Sequence, residues 1–163
     1  RLGLPVYVAE PHTLEQLGEQ VREIGEQIGE AQRGQLLAER FALKLTELRQ
    51  RFHREPPLPV FYQVWDRPLY TIGGGQIISD AIALCGGSNI FADLKLPAPQ
   101  VSVEAVLQRK PQLVLVPDAA QRKAWEQWAI PHVLIGDPAL ERPSIDMLVA
   151  TEALCTRMQA ISP

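Results

Sequence analysis

The chain has 163 residues, 46% of them hydrophobic and 21% charged, with a net charge of −3. That is the composition of an ordinary globular domain, and it excludes a polybasic surface for nucleic acid or anionic lipid. No apolar run approaches the roughly 18 residues a spanning helix needs, so membrane insertion is not expected either.

In chain order, Leu4 to Ala9 reads as a short buried strand. Thr13 then opens a helix with a capping-box spacing to Gln16. Leu14, Leu17, Val21, Ile24 and Ile28 follow at steps of three and four, one apolar helical face. Gly29 is the expected stop. A second helix carries Leu37, Phe41, Leu45, Leu48 and Phe52 on one stripe, with Arg, Glu, Gln and Ala elsewhere. At about 20 residues it would be about 30 Å long. Pro56, Pro57 and Pro59 break it and mark the best candidate boundary.

The pattern then changes. Val60 to Trp65 reads as a strand, Asp66 to Leu69 as a turn, and Gln76 to Leu84 as a helix ended by Cys85-Gly86-Gly87. Pro97 and Pro99 stiffen the approach to a helix that Ser102 can cap and that runs to about Arg109. Leu113 to Val116 is a continuous apolar run, as in a parallel strand. Ala119 to Trp128 reads as a helix, His132 to Ile135 as a strand, and Ser144 to about Ala160 as a last helix. Strands alternating with helices argue for an α/β fold with a parallel, Rossmann-like sheet.

Few residues ask for chemistry. Gly73-Gly74-Gly75 lacks the third glycine of a dinucleotide fingerprint and has no Gly-Lys-Ser/Thr, so the simplest reading is a flexible turn entering a helix. His12, His53 and His132 lie far apart, with no second ligand at metal-binding spacing. Ser79 and Ser88 sit in no nucleophile elbow. No catalytic residue, metal site or cofactor is therefore expected. Trp65, Asp66, Arg67 and Tyr70 follow a strand, where the carboxyl edge of a parallel sheet holds ligands. Read plainly, they are either a stacking and hydrogen-bonding surface or an ion-paired turn with its rings packed inward. Glu141 and Arg142 have a similar place after the last strand. Cys85 and Cys155 permit one disulfide but also fit two buried thiols.

Three stretches occur in order: VFYQVWDRPLYTIGGG, LCGGSNIFADLKLPAPQVSVEAVL and GDPALERPS. With them the chain resembles the class III periplasmic binding proteins of ABC importers, which capture cobalamin, haem or ferric siderophores, and most of all the cobalamin-binding members. The resemblance implies two α/β lobes joined by a rigid helix, with the ligand between them. Residues 1–29 would end an N-terminal lobe otherwise absent from the chain, 30–57 would be the connecting segment, and 58–163 the C-terminal lobe.

It also implies roles. Trp65, Asp66, Arg67 and Tyr70 would face the ligand. Ala98 stands where cobalamin-binding members have a Trp, which removes stacking area. Glu141 and Arg142 match a Glu-Arg pair near the ligand. Glu104 would pair with arginines of the membrane permease. Ser102 as a cap puts that carboxylate in a first helical turn, where the helix dipole favours it. Cys85 and Cys155 would form a disulfide, in keeping with an oxidising periplasm. The implied function is capture of cobalamin or a related tetrapyrrole and its delivery to an ABC permease, without enzymatic activity. The rivals are a haem or siderophore receptor, with Tyr70 as the candidate iron ligand, a nucleotide-dependent enzyme built on Gly73 to Gly75, and an interaction module.

Overall fold

The computed structural model describes residues 10–161. The strand expected at Leu4 to Ala9 lies outside them. Helix α1 (Leu14–Gln27) starts at Thr13, whose Oγ1 accepts from the Gln16 backbone N–H at 3.2 Å. The Gln16 side chain reaches back one residue further than a standard capping box, to the His12 N–H at 2.7 Å. Gly29, at φ +81°, breaks the helix where the left-handed conformation suits glycine. The chain reverses into α2 (Ala31–Arg51). The two helices approach so closely at Gly25 and Gly34 that a Cβ on either would collide with the other's backbone.

The sheet has four parallel strands in the order β2-β1-β3-β4. They are β1 (Leu58–Tyr62), β2 (Gly87–Asn89), β3 (Leu113–Val116) and β4 (His132–Ile135). Between them run α3 (Ile77–Leu84), α4 (Val103–Gln108) and α5 (Ala119–Trp125). A 3-10 turn at Pro138–Glu141 then leads to α6 (Ile145–Gln159). This is the α/β parallel-sheet fold expected from the sequence.

Alternation along β1 and β3 divides the core between the two faces of the sheet. Val60, Tyr62, Leu113 and Leu115 pack with α1, α2, α3 and α6 through Leu14, Leu48, Ile82 and Met147. Phe61, Val114 and Val116 point the other way, onto Phe91, Val106 and Trp125. Phe61 meets Phe91 edge-on at 5.9 Å and Trp125 at 5.4 Å between ring centroids. Cys85 and Cys155 are joined as a disulfide, Cα to Cα 4.4 Å, tying the end of α3 to α6. Charged pairs add links at the rim. Lys44 of α2 meets Glu152 of α6 at 2.9 Å, and Arg49 pairs with Glu15. Asp80 of α3 accepts the Leu14 N–H at 2.8 Å.

Several expectations need correction. Strand β1 starts at Leu58 and ends at Tyr62, two residues before and three before the expected limits, because proline is admitted at a strand's start and the chain then folds back on itself. Helix α5 stops at Trp125, where Trp128 N–H bonds to the Trp125 carbonyl in a turn. β2 and the 3-10 turn were not anticipated. The glycine run does turn into α3 as expected, but Gly73 and Gly74 are packed tightly against the loop after β2. A Cβ on Gly73 would run into the carbonyl oxygens of Leu94 and Leu96, and one on Gly74 into that of Ala92.

Candidate functional site

All four strands end at one edge of the sheet, and the expected ligand residues sit on the loops that leave it. The segment after β1 leaves as a tight hairpin. Val64 N–H donates to the Tyr70 carbonyl at 2.9 Å, and Tyr70 N–H to the Trp65 carbonyl at 3.1 Å. Trp65 and Tyr70 thus face each other across the hairpin's base. Thr71 Oγ1 pins the base by donating to the Tyr62 carbonyl at 2.7 Å.

A second loop, the one after β2, is laid along the first. Val101 N–H bonds to the Leu69 carbonyl, Thr71 N–H to Pro99, Gly73 N–H to Pro97 and Gly74 N–H to Leu94, all at 3.0 to 3.1 Å. Here the glycines earn their places, since only a residue without Cβ lets the two backbones approach this closely. The root of the platform is fixed by Asn89, whose Nδ2 donates to the Ile72 carbonyl and to Ser79 Oγ at 3.0 and 2.8 Å. Asn89 Oδ1 accepts the Phe91 N–H. Within Cys85-Gly86-Gly87-Ser88-Asn89-Ile90-Phe91, Asn89 thus holds the loops together, while Cys85 ties α3 to α6 and Gly87 packs against Met158 and Ile82.

This platform presents Trp65, 63% exposed, beside half-buried Tyr70 and exposed Ala98. A tryptophan this exposed is uncommon, and its ring offers an apolar face beside polar groups. Asp66 and Arg67 form an ion pair at 3.1 Å at the hairpin tip, with Arg67 exposed. The aromatics are therefore not both packed inward.

Glu141 lies on the other side of the same edge, at the end of the 3-10 turn after β4. Its Oε1 accepts from the Tyr62 hydroxyl at 3.0 Å. The Tyr62 ring is buried, and burial, followed by the nearby Glu141 charge, pushes its ionisation well above the usual tyrosine range. Arg142 follows Glu141 in the sequence and is exposed. The sequence reading missed Tyr62, along with a buried polar set beside it. Gln63 accepts from Trp125 Nε1 and donates to Gln121 at 3.0 Å, fixing α5 to β1. A polar Tyr-Gln pair at the end of an apolar strand was the available signal.

Glu104 follows the second loop of the platform, exposed in the first turn of α4. Its own backbone N–H and then the Ser102 hydroxyl hold its carboxyl below the usual range, so it is charged at neutral pH. Ser102 Oγ also caps the helix by accepting from Ala105 N–H at 3.1 Å. The far end of α4 is braced. Arg109 grips Asp93 with an Nη2–Oδ2 distance of 3.0 Å and stacks over the Phe91 ring at 4.3 Å. No cluster of three potential metal ligands occurs among the described residues. No helix among them is long and apolar enough to cross a membrane.

The family model described as "Periplasmic binding protein" matches residues 1–143. The chain belongs to the periplasmic binding protein family. The vitamin B12-binding protein of Yersinia pestis (strain Pestoides F) is 31% identical over 166 residues, covering 98% of this chain and 59% of the relative. The chain therefore spans about three-fifths of the length of the curated relatives it matches. Among solved structures of periplasmic binding proteins, the vitamin B12-binding protein of Vibrio cholerae aligns with a TM-score of 0.83 at 31% identity, over 97% of this chain and 66% of that one. The haem-binding protein HutB of Vibrio cholerae aligns with a TM-score of 0.80 at 18% identity, over 93% of this chain and 66% of that one. At that identity the second likeness speaks for the fold alone.

Proposed function

We propose that this chain is part of a periplasmic substrate-binding protein that captures cobalamin or a related corrinoid and hands it to an ABC permease. The observation that carries the reading is the rigid two-loop platform at the carboxyl edge, with Trp65 exposed on it beside Tyr70. A flat tetrapyrrole needs broad apolar area with a few polar contacts at its rim, and this edge offers both. The 31% identity to vitamin B12-binding proteins supports the corrinoid over haem.

In this reading Trp65 and Tyr70 supply the face, while Asp66, Arg67, Glu141 and Arg142 orient the ligand's periphery. Ala98 leaves room where a larger side chain would close over it. Glu104 docks to cationic groups of the permease. Its cap-fixed position gives register more than raw affinity. Residues 1–29 close a first lobe, 30–57 connect, and 58–163 form the second lobe. A groove of about 600 Å³ lined by Leu17, Val21, Ile24, Ile28, Leu37 and Ile145 supports that division, since it offers apolar surface for another part of a longer protein.

The test is equilibrium dialysis of the full-length gene product against cyanocobalamin. The wild type retains ligand one to one, and Trp65→Ala weakens retention by about tenfold, the scale of one lost aromatic face. Unchanged affinity in Trp65→Ala would remove the platform from the site.

A further inference from the structure

Glu141 is an exposed carboxylate on a short turn, a setting in which a long side chain ordinarily samples many rotamers. Here one of its oxygens is held at 3.0 Å by a phenol that cannot move. Tyr62 is the last residue of β1 and pairs in register with Leu115. Its carbonyl is bound by Thr71, and its ring is only 4% exposed. Around the contact, Val116, Pro117, Gly136, Asp137 and Pro138 enclose a cavity of about 50 Å³. The hydroxyl therefore emerges from the core at a fixed point and pins Glu141 from behind. Its raised ionisation keeps the proton on the phenol, so Tyr62 is the donor and Glu141 the acceptor.

A carboxylate held this way has Oε2 free and nothing to donate. It rewards a ligand that brings N–H groups and opposes one that brings carboxylates. We propose that Tyr62 is a positioning residue that fixes the Glu141 carboxylate as an acceptor at the carboxyl edge and so selects ligands rimmed with amide N–H donors over ligands rimmed with carboxylates. This rests on the reading that Glu141 faces the ligand. Tyr62 itself touches no ligand and acts only through Glu141.

The two probes are cyanocobalamin, rimmed with amides, and haemin, rimmed with carboxylates. A double-mutant cycle is run on the full-length gene product. Tyr62→Phe keeps the ring and loses the donor. It should weaken cyanocobalamin binding about three- to tenfold, the scale of one hydrogen bond. In a Glu141→Ala background the same change should have less than a twofold effect. Glu141→Gln, which keeps an acceptor for Tyr62 and loses the charge, should raise haemin affinity relative to cyanocobalamin. Far-ultraviolet circular dichroism and urea midpoints check that each variant folds; Glu141→Gln, at an exposed position, carries the test if Tyr62→Phe does not. Equal losses from Tyr62→Phe in both backgrounds would mean that the ring is only packing, and would overturn the proposal. An unchanged haemin-to-cyanocobalamin ratio in Glu141→Gln would overturn it too. If the wild type binds neither probe, the proposed function falls and this inference with it, an outcome distinct from an additive cycle in a protein that binds.

Discussion

A Cβ at Gly74 would meet the Ala92 backbone, whereas one at Gly75 would meet nothing within 4 Å. Gly74→Ala should therefore cost about 1–3 kcal/mol, by forcing the two loops apart, while Gly75→Ala stays within about 0.5 kcal/mol. Urea unfolding of both variants checks this, and equal effects would contradict it. Asp93 is held below its ordinary value of 3.8, chiefly by its hydrogen bond to Arg109. A depressed carboxyl stabilises the fold above its unfolded value and loses that contribution as the pH falls through its folded value. The stability difference between wild type and Asp93→Asn should thus be constant near neutrality and shrink as the pH drops below 3.8. A difference that grew on acidification would reverse the sign. Glu104→Lys should impair uptake in cells while leaving ligand affinity unchanged, since the carboxylate is exposed on α4 and not on either loop of the platform. Loss of binding as well would remove its docking role.

At the scale of elements, what was legible in the sequence was what is local. The 3.6-residue stripes of α1 and α2, the apolar run of β3 and the Ser102 cap each carry their signal within a few residues, and each is present. β2 was not legible. It is Gly-Ser-Asn, poor strand material, and it is extended because β1 pairs with it. The ladder between the two site loops has no sequence signature, since its partners are some thirty residues apart at Tyr70 and Gln100. Tyr62 and Glu141 are separated by 79 positions, and no periodicity links them. The residue types of the candidate site come from the chain and its family resemblance, but the contacts that fix their geometry could not be read there. The disulfide stands between these cases. Its geometry had no local signal, and the family resemblance supplied the pairing. It closes a separation of 70 residues, so replacing both cysteines with alanine should cost about 2–4 kcal/mol. Unfolding under non-reducing conditions measures this, and no change on reduction of the wild type would contradict it.

For the whole molecule, the parallel sheet gathers every ligand candidate at one edge, and helices cover both of its faces. The apolar stripe of α1 enters the core at Leu14 and Leu17 but leaves it at Ile24 and Ile28, which are 42% and 67% exposed. The stripe thus serves the core at the start of the helix and lies on the surface at its end. A carboxyl edge that serves a corrinoid is open to direct test. The most direct measurement is calorimetric titration of the full-length gene product with cyanocobalamin, followed by haemin as competitor. The expected result is one-to-one cyanocobalamin binding that haemin does not displace at equal concentration. Tight haemin binding with no cyanocobalamin heat would contradict it.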